Sequence, residues 1–301
     1  MLSINKDNLA PIVLFSYNRP EHTRRTVESL LKNDFAINSK LTVFSDGAKN
    51  EKDLLKVKAV RNYIKGIDGF KSIEIVEQQS NLGLANSVIS GVSEVIGYSG
   101  KVIVMEDDLI SAPYFLKYMN EALNLFENDM RIYSISGYTF PIKIPENYTL
   151  PVYLSPRSSS WGWGTWRNRW EKADWKLNEF KSFINDKEKV RSFNEGGKDL
   201  TKMLINSVTG EIDSWSIKWT FTHFIQNAFC VYPVKSRIKN IGTDKSGVHT
   251  SRTKKFDVEL ENRDIELSTI EDLQPNKEIL KAFHKFFKKD ILSSVISLLR
   301  N

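Results

Sequence analysis

The chain has 301 residues, 41% hydrophobic and 27% charged, with a formal net charge of +6. That profile fits a soluble globular protein of one large α/β domain or two small ones and excludes a disordered chain. The positive balance favours anionic partners such as nucleotides, nucleic acid or an anionic membrane face. A single cysteine, Cys230, excludes an internal disulfide framework and a thiolate zinc site, and points to a reducing compartment.

The N-terminus, MLSINKDNLAPIVLF, lacks a basic segment followed by a long apolar run, so no signal peptide is expected. No window approaches the ~18 apolar residues of a membrane span. The expected location is the cytoplasm, with peripheral contact to the inner face of the membrane as a further option.

PIVLFSY (11–17) reads as a buried strand. Pro20 then opens a helix with Val27, Leu30 and Leu31 on one side. KLTVFSD (40–46) is a second strand, followed by a helix through Leu54, Val57 and Val60. SIEIVEQ (72–78) alternates as a third strand, and Asn81 is placed to cap a helix running to about Ile96. KVIVM (101–105) is a fourth strand, Pro113 starts the next helix, and RIYSISG (131–137) makes a fifth strand. Strand and helix alternating with short connections predict a doubly wound, mostly parallel sheet. Ligands of such sheets sit outside the carboxyl ends of the strands.

The second half reads differently. Helical patterns dominate it, and SPRSSSWGWGTWRNRW (155–170) reads as an unusual loop. The stretch 235–262 is polar, basic and loop-like. Apolar positions in 277–299 recur at helical spacing, with five lysines in the first half of that segment.

KVIVMEDDLI (101–110) carries the strongest chemical signal. An apolar strand runs into Glu106, Asp107 and Asp108 where the chain leaves the sheet. Adjacent carboxylates repel, so the cluster either stays solvated as an acidic turn or holds a cation. Oxygen ligands of this kind suit Mg²⁺ or Mn²⁺, with nucleotide phosphates completing the shell.

VIVMEDDLISAPYFLKYM resembles the metal-motif segment of the N-acetylglucosaminyltransferase I group of GT-A glycosyltransferases. PIVLFSYNRP and VFSDG match that group in order and spacing. The resemblance covers roughly residues 8 to 250 and is loose after 155. It implies a GT-A fold, a nucleotide-sugar donor that is usually a UDP-sugar, a divalent metal and inversion at the anomeric carbon. By the same resemblance Ser16 and Arg19 would line the nucleotide-sugar pocket, with Arg19 near phosphates or base. Asp46 would accept hydrogen bonds from uracil. Glu106 and Asp107 would stand near ribose and sugar, and Asp108 would be the metal ligand. Without the resemblance, Arg19 reads as a surface arginine at a helix start and Asp46 as a turn former before Gly47.

An inverting transfer also needs a base. The group carries an aromatic–acidic Trp-Asp-Asp-Trp stretch where this chain has Ile212-Asp213-Ser214-Trp215. Asp213 is the expected base and Glu211 the fallback, against the alternative that Asp213 caps the following helix. Trp161, Trp163 and Trp166 are expected to include at least one sugar contact, against a tryptophan-rich core corner. In GTDKSGVHT (242–250), Lys245 and His249 look like a flap over a diphosphate; a solvated basic loop is the plainer reading. His22 and His223 lie inside helical patterns and are expected to be structural, and His284 earns no role.

The expected division is a GT-A domain over 1–265 and an amphipathic helical tail over 266–301. The domain splits into a nucleotide-sugar half (1–150) and an acceptor half (151–265). The acceptor is a saccharide or lipid-linked saccharide, and 277–300 is a candidate contact for an anionic membrane. No nucleic-acid module is recognisable. The rival functions are a sugar-nucleotide nucleotidyltransferase and a non-catalytic nucleotide- or glycan-binding module. The first rival needs a glycine-rich loop after the first strand, where SYNRPEH has none.

Overall fold

The computed structural model describes residues 5–244, 253–268, 270 and 272–287. Ile12–Ser16 (β1), Lys40–Ser45 (β2), Ser72–Glu77 (β3) and Lys101–Glu106 (β4) form parallel neighbours in the order β3-β2-β1-β4. The connecting helices are Pro20–Leu31 (α1), Glu51–Ile64 (α2) and Leu84–Ser99 (α3). β1 is apolar on both faces because both are covered. Ile12 and Leu14 pack with Val27 and Leu30 of α1 and Val60 of α2. Val13 and Phe15 pack on the other face with Val88, Val92 and Val95 of α3.

Leu109–Ser111 (β5) follows the acids and leads into Phe115–Leu125 (α4) and Ile132–Ser136 (β6). The sheet continues past residue 150 with Val152–Ser155 (β7), Trp163–Trp166 (β8) and Phe229–Pro233 (β9). The full order is β3-β2-β1-β4-β8-β6-β9-β7, with β8 antiparallel to both neighbours and β7 antiparallel to β9. A doubly wound, mostly parallel sheet is therefore what the chain forms. The stretch 155–170 is a correction: it supplies a central strand, not only a loop. Trp163, Trp166 and Thr165 are buried there, and a Cβ on Gly164 would come within 2.9 Å of the Val102 carbonyl oxygen.

The remaining helices are Arg167–Trp170 (α5), Phe180–Ile184 (α6), Lys187–Phe193 (α7), Leu200–Val208 (α8), Trp215–Ile225 (α9) and Lys277–Phe286 (α10). α6 to α9 gather a second core around Phe183, Phe193, Leu204 and Phe221. Among the described residues of 235–262, which leave out 245–252, the loop-like reading holds except at Ile238–Asn240 (β10), which pairs antiparallel with β5. That ribbon lays the chain after β10 across the acidic turn. α10 buries Ile279 and Phe283 in the main core, so the described part of the tail docks on the protein itself. Among the described residues, no helix is long and apolar enough to cross a membrane.

Candidate active site

The site begins at the end of β4, where Glu106 stands level with Phe15 of β1. α1 fixes the turn that follows: Thr26 Oγ1 donates to the Asp107 carbonyl at 2.9 Å and accepts the Leu109 amide at 3.2 Å. Ser29 Oγ accepts the Ser111 amide at 3.0 Å. Two hydroxyls on one helix face thus pin the backbone that carries three acids.

Arg19, just before α1, forks between Asp107 Oδ1 and Asp108 Oδ2, the latter at 3.0 Å. The Tyr17 amide adds a 3.3 Å hydrogen bond to Asp107 Oδ2. Burial opposes the charge on Arg19, but Asp107 and Asp108 overcome it and raise its affinity for the proton. One cation does not balance three acids. Burial, reinforced by Asp108 and Asp107, pushes the Glu106 carboxyl up to about 8. Burial pushes Asp107 up to about 6 against the pull of Arg19. Asp108 is 7% exposed, and its Oδ1 has no hydrogen-bond partner among the described residues. A buried, unpartnered carboxylate oxygen beside an excess of negative charge fits a hard cation. Among the described residues, no three of His, Cys, Asp and Glu are grouped to hold a metal unaided. Asp108 Oδ1 is thus the one oxygen of this turn that is both buried and open to an ion among the described residues.

The chain after β10 closes this side. The Ile241 amide donates to the Asp108 carbonyl at 2.8 Å. A Cβ on Gly242 would overlap Asp108 Oδ2 and come within 3.0 Å of Arg19 Nη1. Asp244 lies 3.2 Å from His22 Nε2 on α1, so His22 faces the rim. Lys245 and His249 lie outside the described residues.

On the other side of β1, Asp46 follows β2 and is buried. Its Oδ1 accepts the Gly47 and Leu82 amides at 2.8 and 2.9 Å, and its Oδ2 accepts Asn81 Nδ2 and the Gly83 amide at 3.0 and 3.2 Å. These four donors use the acceptor sites expected to meet uracil; Asp46 is engaged in holding the Asn81–Gly83 turn. Asn81 does not cap α3, as the sequence suggested. Gly83 occupies the cap position, at φ +79°, a left-handed conformation that glycine accepts without strain. Ser16 is buried at the same rim, and its hydroxyl lies 3.4 Å from the Phe44 carbonyl.

Asp213 meets this turn from the second half. Its Oδ2 accepts the Ala85 amide at 3.4 Å, across 128 residues of sequence. The cap of α9 is Ser214, not Asp213. The turn between Gly83 and Ala85 therefore joins Asp46 to Asp213. Both Asp213 and Glu211 are exposed.

The tryptophans correct an expectation. Trp163 is fully buried, with its ring centroid 5.0 Å from Trp215 and 5.6 Å from Trp170. It belongs to a core corner and is enclosed by other rings, so it does not face a sugar. Trp166 is buried too, and its Nε1 donates to the Leu123 carbonyl. Trp161 alone of the three keeps exposed surface, with its ring 4.6 Å from Tyr138.

Sequence reasoning missed the supports. Asp53 accepts Tyr17 Oη at 2.9 Å and Asn18 Nδ2 at 2.7 Å, which fixes the turn after β1. Gly83 and Gly242 were likewise not singled out, and Asn81 was read as a helix cap, not as a partner of Asp46. The available signal was the polar residues at the strand ends, joined by Gly47 after β2 and Gly83 beyond β3.

The sheet order, the acids at the end of β4 and the polar rim define a glycosyltransferase of the GT-A fold. The chain belongs to the GNT-I family, whose model matches residues 3–176, more than half of its length. No curated protein matches it. Among solved structures it is similar to a mannosyltransferase from Pyrobaculum calidifontis in complex with GDP-Man and Mn²⁺, at 12% identity and a TM-score of 0.38, over 55% of this chain and 47% of that one. It is also similar to S. aureus TarS, at 10% identity and a TM-score of 0.42, over 76% of this chain and 36% of that one. This chain thus spans less than half the length of either.

Proposed function

We propose that the protein transfers a hexosyl or N-acetylhexosaminyl group from a UDP-sugar to a hydroxyl of a saccharide or glycolipid, with inversion, in surface glycan biosynthesis. The observation that carries this reading is that Asp108 Oδ1 has no hydrogen-bond partner among the described residues, inside a turn with more acid than Arg19 balances. Asp108 would hold a divalent ion, Mn²⁺ or Mg²⁺, that neutralises a diphosphate leaving group. Arg19 would exchange Asp108 for a phosphate oxygen, a fork suited to either partner. Glu106 and Asp107 would line the ribose and sugar, with Ser16 beside them. Asp46 would shape the base pocket through the Asn81–Gly83 turn. Asp213 would take the acceptor proton, with Glu211 as the second candidate, and Trp161 offers the apolar surface for a sugar face.

In this reading residues 1–150 form the nucleotide-sugar half and 151–265 the acceptor half, with 266–301 as a tail. The protein works in the cytoplasm, and 277–300, of which 288–300 lie outside the described residues, would contact an anionic membrane. Support for that contact is the exposure of Lys277, Lys281 and Lys285 on the outer side of α10.

The test is incubation with a panel of UDP-sugars, Mn²⁺ and acceptor saccharides, with the anomeric configuration of the product read by NMR. Transfer with inverted configuration supports the proposal. A retained configuration, or turnover of a nucleotide triphosphate and sugar phosphate instead, overturns it.

A further inference from the structure

A cavity of about 560 Å³ lies between α9 and α10. It is remote from the acids. α9 begins two residues after Asp213, whereas the cavity is lined by Phe224 near the helix end and by Ala228 and Phe229 beyond it. Phe229 opens β9 and pairs with Ile132, the first residue of β6. β4, β6 and β9 run in one direction, so the cavity sits at the end of the sheet opposite the acids.

Its lining has two characters. Phe224, Ala228, Phe229, Pro156, Pro275 and Leu280 give an apolar wall. Lys277, Lys281 and His284, all from α10, give a cationic side, against Glu195 as the acid in the lining. Lys277 and Lys281 are exposed and stand one helical turn apart. His223 also borders the space, but both its ring nitrogens are already bonded, to the Trp219 carbonyl and the Ser134 hydroxyl at 2.8 Å each. Ser192 and Asn227 add neutral polar side chains to the lining. The volume falls within the usual range of small-ligand sites.

We propose that this groove takes one acyl chain of an anionic membrane lipid, with the headgroup held on Lys277 and Lys281. The inference rests on the proposed membrane contact for the source of the lipid. It adds a defined chain site where electrostatic contact alone needs none. A lipid held here would tether the protein with the acids at the far end of the sheet.

The test is calorimetric titration of the full chain with lysophosphatidylglycerol below its micelle concentration. Lysophosphatidylcholine of the same chain length and glycerol phosphate serve as comparisons. The expected result is saturable binding of one lysophosphatidylglycerol per chain, at least tenfold tighter than lysophosphatidylcholine, with no binding of glycerol phosphate. Each methylene removed from the chain should weaken binding roughly fourfold while the chain lies in the groove. Lys277→Gln combined with Lys281→Gln, both exposed, should lower affinity at least tenfold, and Leu280→Asp should do the same. Binding of glycerol phosphate as tight as the lipid, binding indifferent to all these substitutions, or no binding overturns the proposal. So does light scattering that shows a dimer broken by Leu280→Asp, because a second copy then fills the groove. Sedimentation with phosphatidylglycerol vesicles separates the two ideas: vesicle binding without lysolipid binding removes the groove and leaves the membrane contact standing.

Discussion

Gly242 lies so close to Asp108 that a methyl group on its α-carbon would overlap the Asp108 carboxylate. The two residues are far apart in sequence and meet because β10 pairs with β5 directly after the acids. Gly242→Ala is therefore expected to displace the carboxylate or lift the loop. Metal-dependent UDP binding should weaken at least tenfold, about 1.4 kcal/mol, while thermal stability changes little. Calorimetry on the variant checks this, and unchanged affinity would mean that the loop does not pack on Asp108.

Asp108→Ala should remove metal-dependent UDP binding without loss of stability. The variant deletes a carboxylate whose Oδ1 is buried and has no partner among the described residues, and leaves Arg19 its pairing with Asp107. A melting temperature at or above that of the parent, together with lost binding, is the expected pair of results.

Asp213→Asn should keep donor affinity and lower transfer by roughly a hundredfold or more, the usual contribution of a general base. The amide can still accept from the Ala85 amide, so the start of α3 should hold. Donor titration and product formation, measured on the same preparation, separate the two effects. Wild-type turnover would move the base to Glu211.

Trp163→Ala should cost stability, about 3–5 kcal/mol, as a large core truncation does. The ring packs among Trp170, Trp215 and Trp219. Denaturant unfolding checks the figure. A variant of native stability that fails only with sugar would restore the surface role.

Burial holds the His223 imidazole down to about 4, against an ordinary 6.5. The folded form stays neutral where the unfolded chain takes up a proton, so this contribution is present above pH 6.5 and is lost as pH falls toward 4. Between pH 7 and 5 the loss is about 2 kcal/mol. His223→Gln should flatten that part of the stability profile, as read by unfolding at several pH values.

The first four strands were legible because β1, β2 and β4 are largely apolar runs and β3 alternates, each between polar turns; KLTVFSD and KVIVM predict β2 and β4 within a residue. β8 was not legible. WGTW carries a glycine that normally signals a loop, and here the glycine lets β8 pass the Val102 carbonyl at the centre of the sheet. The acids at the end of β4 stood out because three adjacent carboxylates after an apolar strand need a physical reason. The Asp46 turn did not stand out, because its partners at 81–83 are distant in sequence and their hydrogen bonds leave no local pattern. The placement of Asp213 against Ala85 is of the same non-local kind.

The central claim is that the acids at the end of β4 take a divalent ion together with a uridine diphosphate. Thermal unfolding with UDP, GDP or CMP, each with Mn²⁺ or with EDTA, tests it most directly, since a ligand at 100 times its Kd adds about 2.7 kcal/mol. The account predicts stabilisation by UDP in Mn²⁺, none by UDP in EDTA, and none in Asp108→Ala. Equal stabilisation with and without metal, or by none of the nucleotides, would contradict it.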